Sequence, residues 1–182
     1  MGGTLASMAP APPLPSPADG VLRPLTEADV PAVLHLNATH VELLSPLDEA
    51  RLERLVGWSE RADVITADEQ VAGFVLTFGP GSDYDSENYR WFAQRYGAGF
   101  LYLDRIVVDD RFRRRGLASR VYDLVEARAA DAGRLALEVN VDPPNEPSLA
   151  FHRARGFVEV GTLGPQGHQV GLMVKELAAG QA

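Results

Sequence analysis

The apolar residues of this 182-residue chain change their period repeatedly between residues 20 and 176, and each change marks an element. Residues 21–24 form a short extended run that predicts a first strand. Thr26, with Asp29 three positions on, makes a capping-box-like start, and Val30, Val33, Leu34 and Asn37 then recur at helical spacing to about Thr39. Ser45-Pro46-Leu47-Asp48 predicts a second helix start. Ser45 would cap, Pro46 suits the first turn, and Asp48 favours the positive helix end. Leu52, Leu55 and Val56 carry that helix to Gly57 or just beyond. Two strands follow at residues 63–67 and 71–78, with Asp68-Glu69-Gln70 as their turn. Residues 84–96 hold five of the chain's 14 aromatics. That segment is too long for a hairpin loop, so it reads as an insertion with a purpose or a small helix.

Residues 100–108 (FLYLDRIVV) are a continuous apolar run interrupted by Asp104 and Arg105, as in a central strand covered on both faces. A helix begins near Gly116 with Leu117, Val121, Leu124 and Val125 on its apolar face, and Gly133 stops it. Leu135, Leu137, Val139 and Val141 alternate with Ala136, Glu138 and Asn140, a fifth strand over residues 135–141. A short helix over about 146–155 and strands at 157–163 and 170–175 complete the chain. The order β-α-α-β-β-β-α-β-α-β-β predicts an α/β (α+β) fold, a mixed sheet of about seven strands with helices on both faces.

Composition narrows the function classes. A net charge of −8 argues against nucleic acid or an anionic membrane surface as a partner. The absence of cysteine removes disulfides, thiolate nucleophiles and zinc–thiolate sites, and fits a cytoplasmic location. No run approaches the ~20 apolar residues that span a bilayer. Residues 1–19, rich in Pro and Ala, read as a disordered leader, and residues 20–178 as a single domain. His35, His40 and His168 lack metal-ligand spacing, so no metal site is assigned.

One segment runs against the acidic trend. Arg111, Arg113, Arg114 and Arg115 concentrate positive charge just before a predicted helix start, where unpaired N–H groups favour an anion. Gly116 lets the backbone approach a ligand closely, and Ala118 adds little bulk. These features describe a pyrophosphate cradle; the plainer reading is a solvated basic loop ahead of an ordinary helix. The spacings of the Walker loop and of the GxGxxG dinucleotide turn are both absent.

The run Arg113-Arg114-Arg115-Gly116-Leu117-Ala118 resembles the [QR]xxGx[GA] signature of the GNAT superfamily of acetyl-CoA-dependent N-acyltransferases. The segment from Asn145 to Phe157 resembles the family's second signature, NxxAxxxYxxxGF. Asn145, Gly156 and Phe157 keep their spacing, Ser148 replaces the small Ala, and His152 stands at the tyrosine position. The phrases SPLD, YDSENYRWF and DRIVV are similar to a bacterial subgroup of predicted acetyltransferases.

The resemblance implies the GNAT acyl-CoA N-acyltransferase fold, with acetyl-CoA as cosubstrate in a gap between the strands at 100–108 and 135–141. Backbone groups of Ile106, Val107 and Val108 would pair with the pantetheine amides. The pyrophosphate would sit beside Arg113 on the amides of Arg114, Arg115, Gly116, Leu117, Ala118 and Ser119, and Asn145 and Phe151 would flank the pantetheine arm. The implied reaction is direct attack on the thioester by a primary amine of a small molecule or a protein.

An alkyl ammonium has a pKa near ~10.4, so a base must remove its proton. Glu138 is the candidate, opposite in direction to Leu137 and Val139; alternatively it pairs with an arginine on a sheet face. Asp104 and Asn140 would bind substrate, orient water or satisfy structural hydrogen bonds. His152 would protonate the leaving thiolate or simply make one helix hydrogen bond, with Tyr122 a weaker substitute. On the acceptor side stand Asn37, His40, Ser45, Asp48 and residues 84–96. Those aromatics, with Asp83, Asp85 and Glu87, form a wall for a cationic amine, a packed lid or a homodimer contact. The histidine in place of tyrosine keeps a second reading open, a noncatalytic acyl-CoA sensor.

Overall fold

Strands β1 (Leu22–Pro24), β2 (Arg61–Ala67), β3 (Gln70–Phe78), β4 (Leu101–Val108), β5 (Arg134–Asp142), β6 (Val158–Leu163) and β7 (Gln169–Glu176) build one sheet. Its order is β1-β2-β3-β4-β5-β7-β6, antiparallel except where β4 meets β5. The computed structural model describes residues 21–40 and 44–178; the leader expected at residues 1–19 lies outside them. Helices α1 (Val30–Thr39), α2 (Glu49–Trp58) and α3 (Glu87–Tyr96) cover one face, and α4 (Leu117–Ala129) and α5 (Glu146–Ala154) the other. This is the mixed seven-strand sheet, covered on both faces, that the apolar periodicity predicts.

Strand alternation divides the core into two layers. Leu101, Leu103, Leu135, Leu137 and Val139 pack against Val121 and Val125 of α4. On the opposite face Phe74, Phe78, Tyr102 and Ala136 meet Val33, Leu52, Leu55 and Phe92 from α1, α2 and α3. Asp63, only 1% exposed, ties α4 to the second strand. Its carboxylate accepts from Arg61 at 2.8 Å and from Arg128 at 2.8 Å, so two guanidinium groups offset the cost of burying the charge.

One helix start differs from the sequence reading, and the helix alternative for residues 84–96 holds. The second helix is capped by Asp48, whose carboxylate accepts from the Arg51 N–H at 2.7 Å, and it begins at Glu49. With Asp48 as the cap, Ser45 lies outside the helix, and its carbonyl accepts from Asn37 Nδ2 at 3.1 Å. Residues 84–96 contain a full helix, capped by Ser86 accepting from the Tyr89 N–H at 3.3 Å. Its Tyr89 and Phe92 are buried against Phe100 and Tyr102, so most of the aromatic cluster is core.

The β2–β3 hairpin turns on Asp68 and Glu69, with φ of 50° and 61°, the sign a tight two-residue hairpin turn needs at both positions. Behind it, β3 and β4 approach so closely at Gly73 that an added Cβ would stand 2.1 Å from the Val107 carbonyl oxygen. Gly73→Ala should therefore push β4 away and lower unfolding free energy by about 1–3 kcal/mol. Urea denaturation measures this, and an unchanged midpoint would contradict the close approach.

Candidate active site

The parallel ladder between β4 and β5 consists of two pairs, Leu101↔Leu135 and Tyr102↔Ala136. Beyond them β4 continues to Val108 and β5 to Asp142 without pairing to each other, so the strands part. A cleft of about 230 Å³ fills the gap. It is lined from both faces of the sheet. Leu103, Ile106, Leu137 and Val139 belong to the α4 side; Arg105, Val107 and Glu138 to the α1 side. His40 and Leu44 also line it, and Arg113, Asn145, Ser148, Tyr122 and His152 lie along the α4–α5 wall.

The free edge of β4 is selective. The Asp109 N–H donates to Ala72 of β3 at 2.8 Å. Alternation by two along an antiparallel pair then commits Val107 to β3 as well, consistent with its carbonyl facing Gly73. Ile106 and Val108 turn their peptide groups to the gap; Val107 does not, because neighbouring strand residues face opposite edges. It contributes its side chain to the cleft instead.

At the mouth, Gly116 takes φ 73° and precedes α4 without any side-chain cap, whereas Asp48, Ser86 and Asn145 cap α2, α3 and α5. Leu117, Ala118 and Ser119 thus sit in a first turn whose N–H groups lack intrahelical acceptors. Arg114 also has positive φ, 62°. The arginines are less free than their clustering suggests. Arg111 pairs with Asp109 at 2.7 Å, Arg113 with Asp110 at 2.7 Å, and Arg115 with Asp68 at 2.6 Å. Much of the turn's positive charge, that of the cleft-lining Arg113 included, is balanced locally, so its anion affinity rests chiefly on the open helix end.

On the α1 side of the gap stands a network of carboxylates and phenols. Glu138 accepts from the Tyr102 hydroxyl at 2.5 Å and from Asn88 Nδ2 of α3 at 3.0 Å. Among the described residues no arginine forms an ion pair with it, which disfavours the ion-pair alternative. Burial first, then the charge of Asp104, push the Glu138 carboxyl up to about 7. Asp104 accepts from the Tyr84 hydroxyl through one oxygen and from Arg105 Nε through the other. Burial and Asp104 together raise the Tyr84 phenol above its ordinary range. Arg105, 6% exposed, also donates to Asn37 Oδ1 at 3.0 Å.

Asp104 and Arg105 are consecutive yet face the same side. The β3–β4 register jumps from Leu76↔Arg105 to Thr77↔Leu103, leaving Asp104 as the extra residue of a bulge that resets the alternation.

On the opposite wall the Tyr122 hydroxyl lies 2.6 Å from His152 Nε2, and His152 Nδ1 lies 2.7 Å from the Ser148 carbonyl. Burial holds the His152 imidazole below its ordinary pKa. Asn145 caps α5 through the Ser148 N–H at 3.2 Å while lining the cleft. Phe151 does not line it; the ring packs edge-on against Tyr122 with centroids 5.1 Å apart.

The structure therefore brings Ile106, Val108, Arg113, Glu138, Asn145 and His152 to one cleft, with the exposed turn at Arg114, Arg115 and Gly116 adjoining. Tyr84, Asn88 and Tyr102 were missed. Residues 84–96 read as aromatic and polar without revealing which side chains turn inward, and only the long-range pairing shows Tyr102 facing Glu138.

Three comparisons bear on this arrangement. The model of the Acetyltransferase (GNAT) family matches residues 33–157. The chain belongs to that family and is an acyltransferase. The Ard1 structure from Thermoplasma volcanium is similar, with a TM-score of 0.67 at 20% identity, covering 86% of this chain and 96% of that one. The ribosomal-protein-alanine N-acetyltransferase from Brucella melitensis gives 0.63 at 25% identity, covering 86% and 99%. Arabidopsis thaliana Naa50, in complex with the bisubstrate analogue CoA-Ac-MVNAL, gives 0.62 at 14% identity, covering 86% and 97%. A search of curated proteins by sequence found no match.

The Glu138 environment makes a stability prediction. Its folded pKa lies above the unfolded value, so the protonated carboxyl favours the folded state. That contribution is complete below the ordinary glutamate range and is lost as pH rises through about 7. Glu138→Gln should leave the protein at least as stable as the parent above that pH and remove this component of the pH dependence. Thermal denaturation at several pH values measures it; a large loss of stability at high pH would contradict the account.

Proposed function

We propose that this acyltransferase moves an acetyl group from acetyl-CoA to a primary amine, of a small molecule or a protein, by direct attack on the thioester. The observation that carries the reading is one cleft with opposite chemistries on its two walls. An uncapped helix start, Arg113 and the free edge of β4 suit a phosphate-bearing chain, and a carboxylate with raised pKa waits on the other face. The pyrophosphate would rest on the amides from Arg114 to Ser119. Ile106 and Val108 would pair with the pantetheine amides as a further strand does. A gap-facing β4 N–H would polarise the thioester carbonyl.

Glu138 is the base. Its pKa near 7 lets it hold a proton from the incoming ammonium without being a permanently ionised, weak acceptor. Tyr102 and Asn88 fix its two oxygens, and Asp104 supplies the neighbouring charge. This tuning supports an enzyme over the sensor reading, because a binding module has no use for a buried, unpaired carboxylate beside a second one. The protein-amine option draws support from the similar structure named as a ribosomal-protein-alanine N-acetyltransferase; the cleft itself favours no particular acceptor.

Calorimetry with acetyl-CoA tests the cosubstrate. Gly116→Val puts a β-branched residue at positive φ in the turn and should weaken binding at least tenfold (about 1.4 kcal/mol); unchanged affinity would contradict the cradle. Thioester consumption with an amine panel tests the base. The parent's kcat/KM should rise through about pH 7 as Glu138 loses its proton. Asp104→Asn should move that limb to lower pH, since the charge that raises Glu138 is gone. A limb that stays in place would show that Glu138 does not set the rate.

A further inference from the structure

We propose that Tyr122 protonates the thiolate that leaves when acetyl is transferred, and that His152 is the positioning residue that holds and reloads it. This rests on the acetyl-transfer reading above and extends it to the second proton of the reaction. A thioester aminolysis breaks a C–S bond and leaves a sulfur that takes up a proton, and the wall across the gap from Glu138 carries the remaining candidate donors. On the α4–α5 wall the side chains lining the cleft are Arg113, Tyr122, Asn145, Ser148 and His152. Arginine does not give up its proton in proteins and asparagine does not titrate, which leaves a phenol, an alcohol and an imidazole.

The geometry assigns them different parts. The Ser148 carbonyl can only accept, so His152 Nδ1, 2.7 Å away, carries the ring hydrogen. Nε2 of the neutral ring is then an acceptor, and the Tyr122 hydroxyl, 2.6 Å from it, donates. The imidazole therefore has no proton of its own to give to the cleft. The only transferable hydrogen between the two rings is on the Tyr122 oxygen. A lone α5 histidine acting directly on sulfur, one of the two readings the sequence left open, does not fit this tautomer.

The step balances as follows. The amine nitrogen bonds to the thioester carbon, Glu138 takes a nitrogen proton, and the C–S bond breaks with its electron pair on sulfur. The Tyr122 O–H turns to the sulfur, breaks, and forms S–H, leaving a phenolate. That phenolate draws a solvent proton onto Nε2, which returns it to the phenol oxygen. Arg155, whose guanidinium carbon lies 5.3 Å from the Tyr122 ring centroid, faces the phenolate and stabilises it. Glu126, which pairs with Arg155 at 2.9 Å, opposes it. With burial, these are the charges that set the Tyr122 proton: burial raises the phenol's pKa and Arg155 works against that rise.

The test uses the full chain, acetyl-CoA and hydroxylamine, a small nucleophile already unprotonated at neutral pH. Tyr122→Phe should lower kcat about a hundredfold while calorimetry finds acetyl-CoA affinity within about threefold of the parent, near 0.7 kcal/mol. His152→Phe should lower kcat by less, and the double variant should be no slower than Tyr122→Phe alone, because the two act as one unit. Should Tyr122→Phe fail to fold, 3,5-difluorotyrosine at position 122 replaces it. This more acidic, near-isosteric phenol should bring the alkaline fall of kcat to lower pH. Unchanged kcat in Tyr122→Phe, additive losses in the double variant, or an unmoved alkaline limb would overturn the assignment. A parent that binds acetyl-CoA without accelerating aminolysis would overturn the transfer reading itself, and the proton donor with it.

Discussion

The site exists because two parallel strands stop pairing after two residues. Up to Tyr102 and Ala136 the central sheet is continuous, and the buried run Leu101, Tyr102, Leu135 and Ala136 holds both strands in place. Past that point each strand has a partner on its outer side only, β3 for one and β7 for the other. Half of the peptide groups along the inner edges lose their ladder. Unpaired backbone groups are costly when shut away from water, so a gap like this must stay wet or be filled by a ligand with its own amides. The fold's stability and its binding capacity meet at this one discontinuity.

The same parting creates two chemically distinct walls. Alternation sends Leu137 and Val139 to the α4 side and Glu138 to the other, and the bulge at Asp104 places a second carboxylate beside Glu138. Close carboxylates resist joint ionisation, which raises the basicity of one at the expense of local stability. The third helix contributes by covering this pair. Asn88 reaches Glu138 and Tyr84 reaches Asp104, so the aromatic segment serves the chemistry mainly by burying and holding the carboxylates. Across the gap, the imidazole and phenol of His152 and Tyr122 are oriented by one backbone carbonyl. Their separation from Glu138 keeps the proton removed from the amine apart from the proton given to sulfur.

The sequence was most legible where physics is local. The seven strands and the helix beginning near Gly116 follow from period-two and helical spacing and from turn chemistry over a few residues. Glu138 was identified by its alternation against Leu137 and Val139. Legibility failed where register decides. No local pattern announces the bulge that turns Asp104 and Arg105 to the same side, the commitment of Val107 to β3, or the contact between Tyr122 and His152, which are 30 residues apart. The arginine cluster misled in a different way. Its charge is visible in the sequence, but Asp68, which takes Arg115, arrives from a hairpin 47 residues earlier.

The most direct test of the parted strands is residue-resolved amide hydrogen exchange by NMR, with and without acetyl-CoA. The account predicts that Val107 is protected in both states through its bond to β3. Ile106 and Val108 should exchange quickly in the free protein and become protected when the thioester is bound. Equal protection of all three amides in the free protein, or no change at Ile106 and Val108 under saturating acetyl-CoA, would contradict a strand edge left open for a ligand.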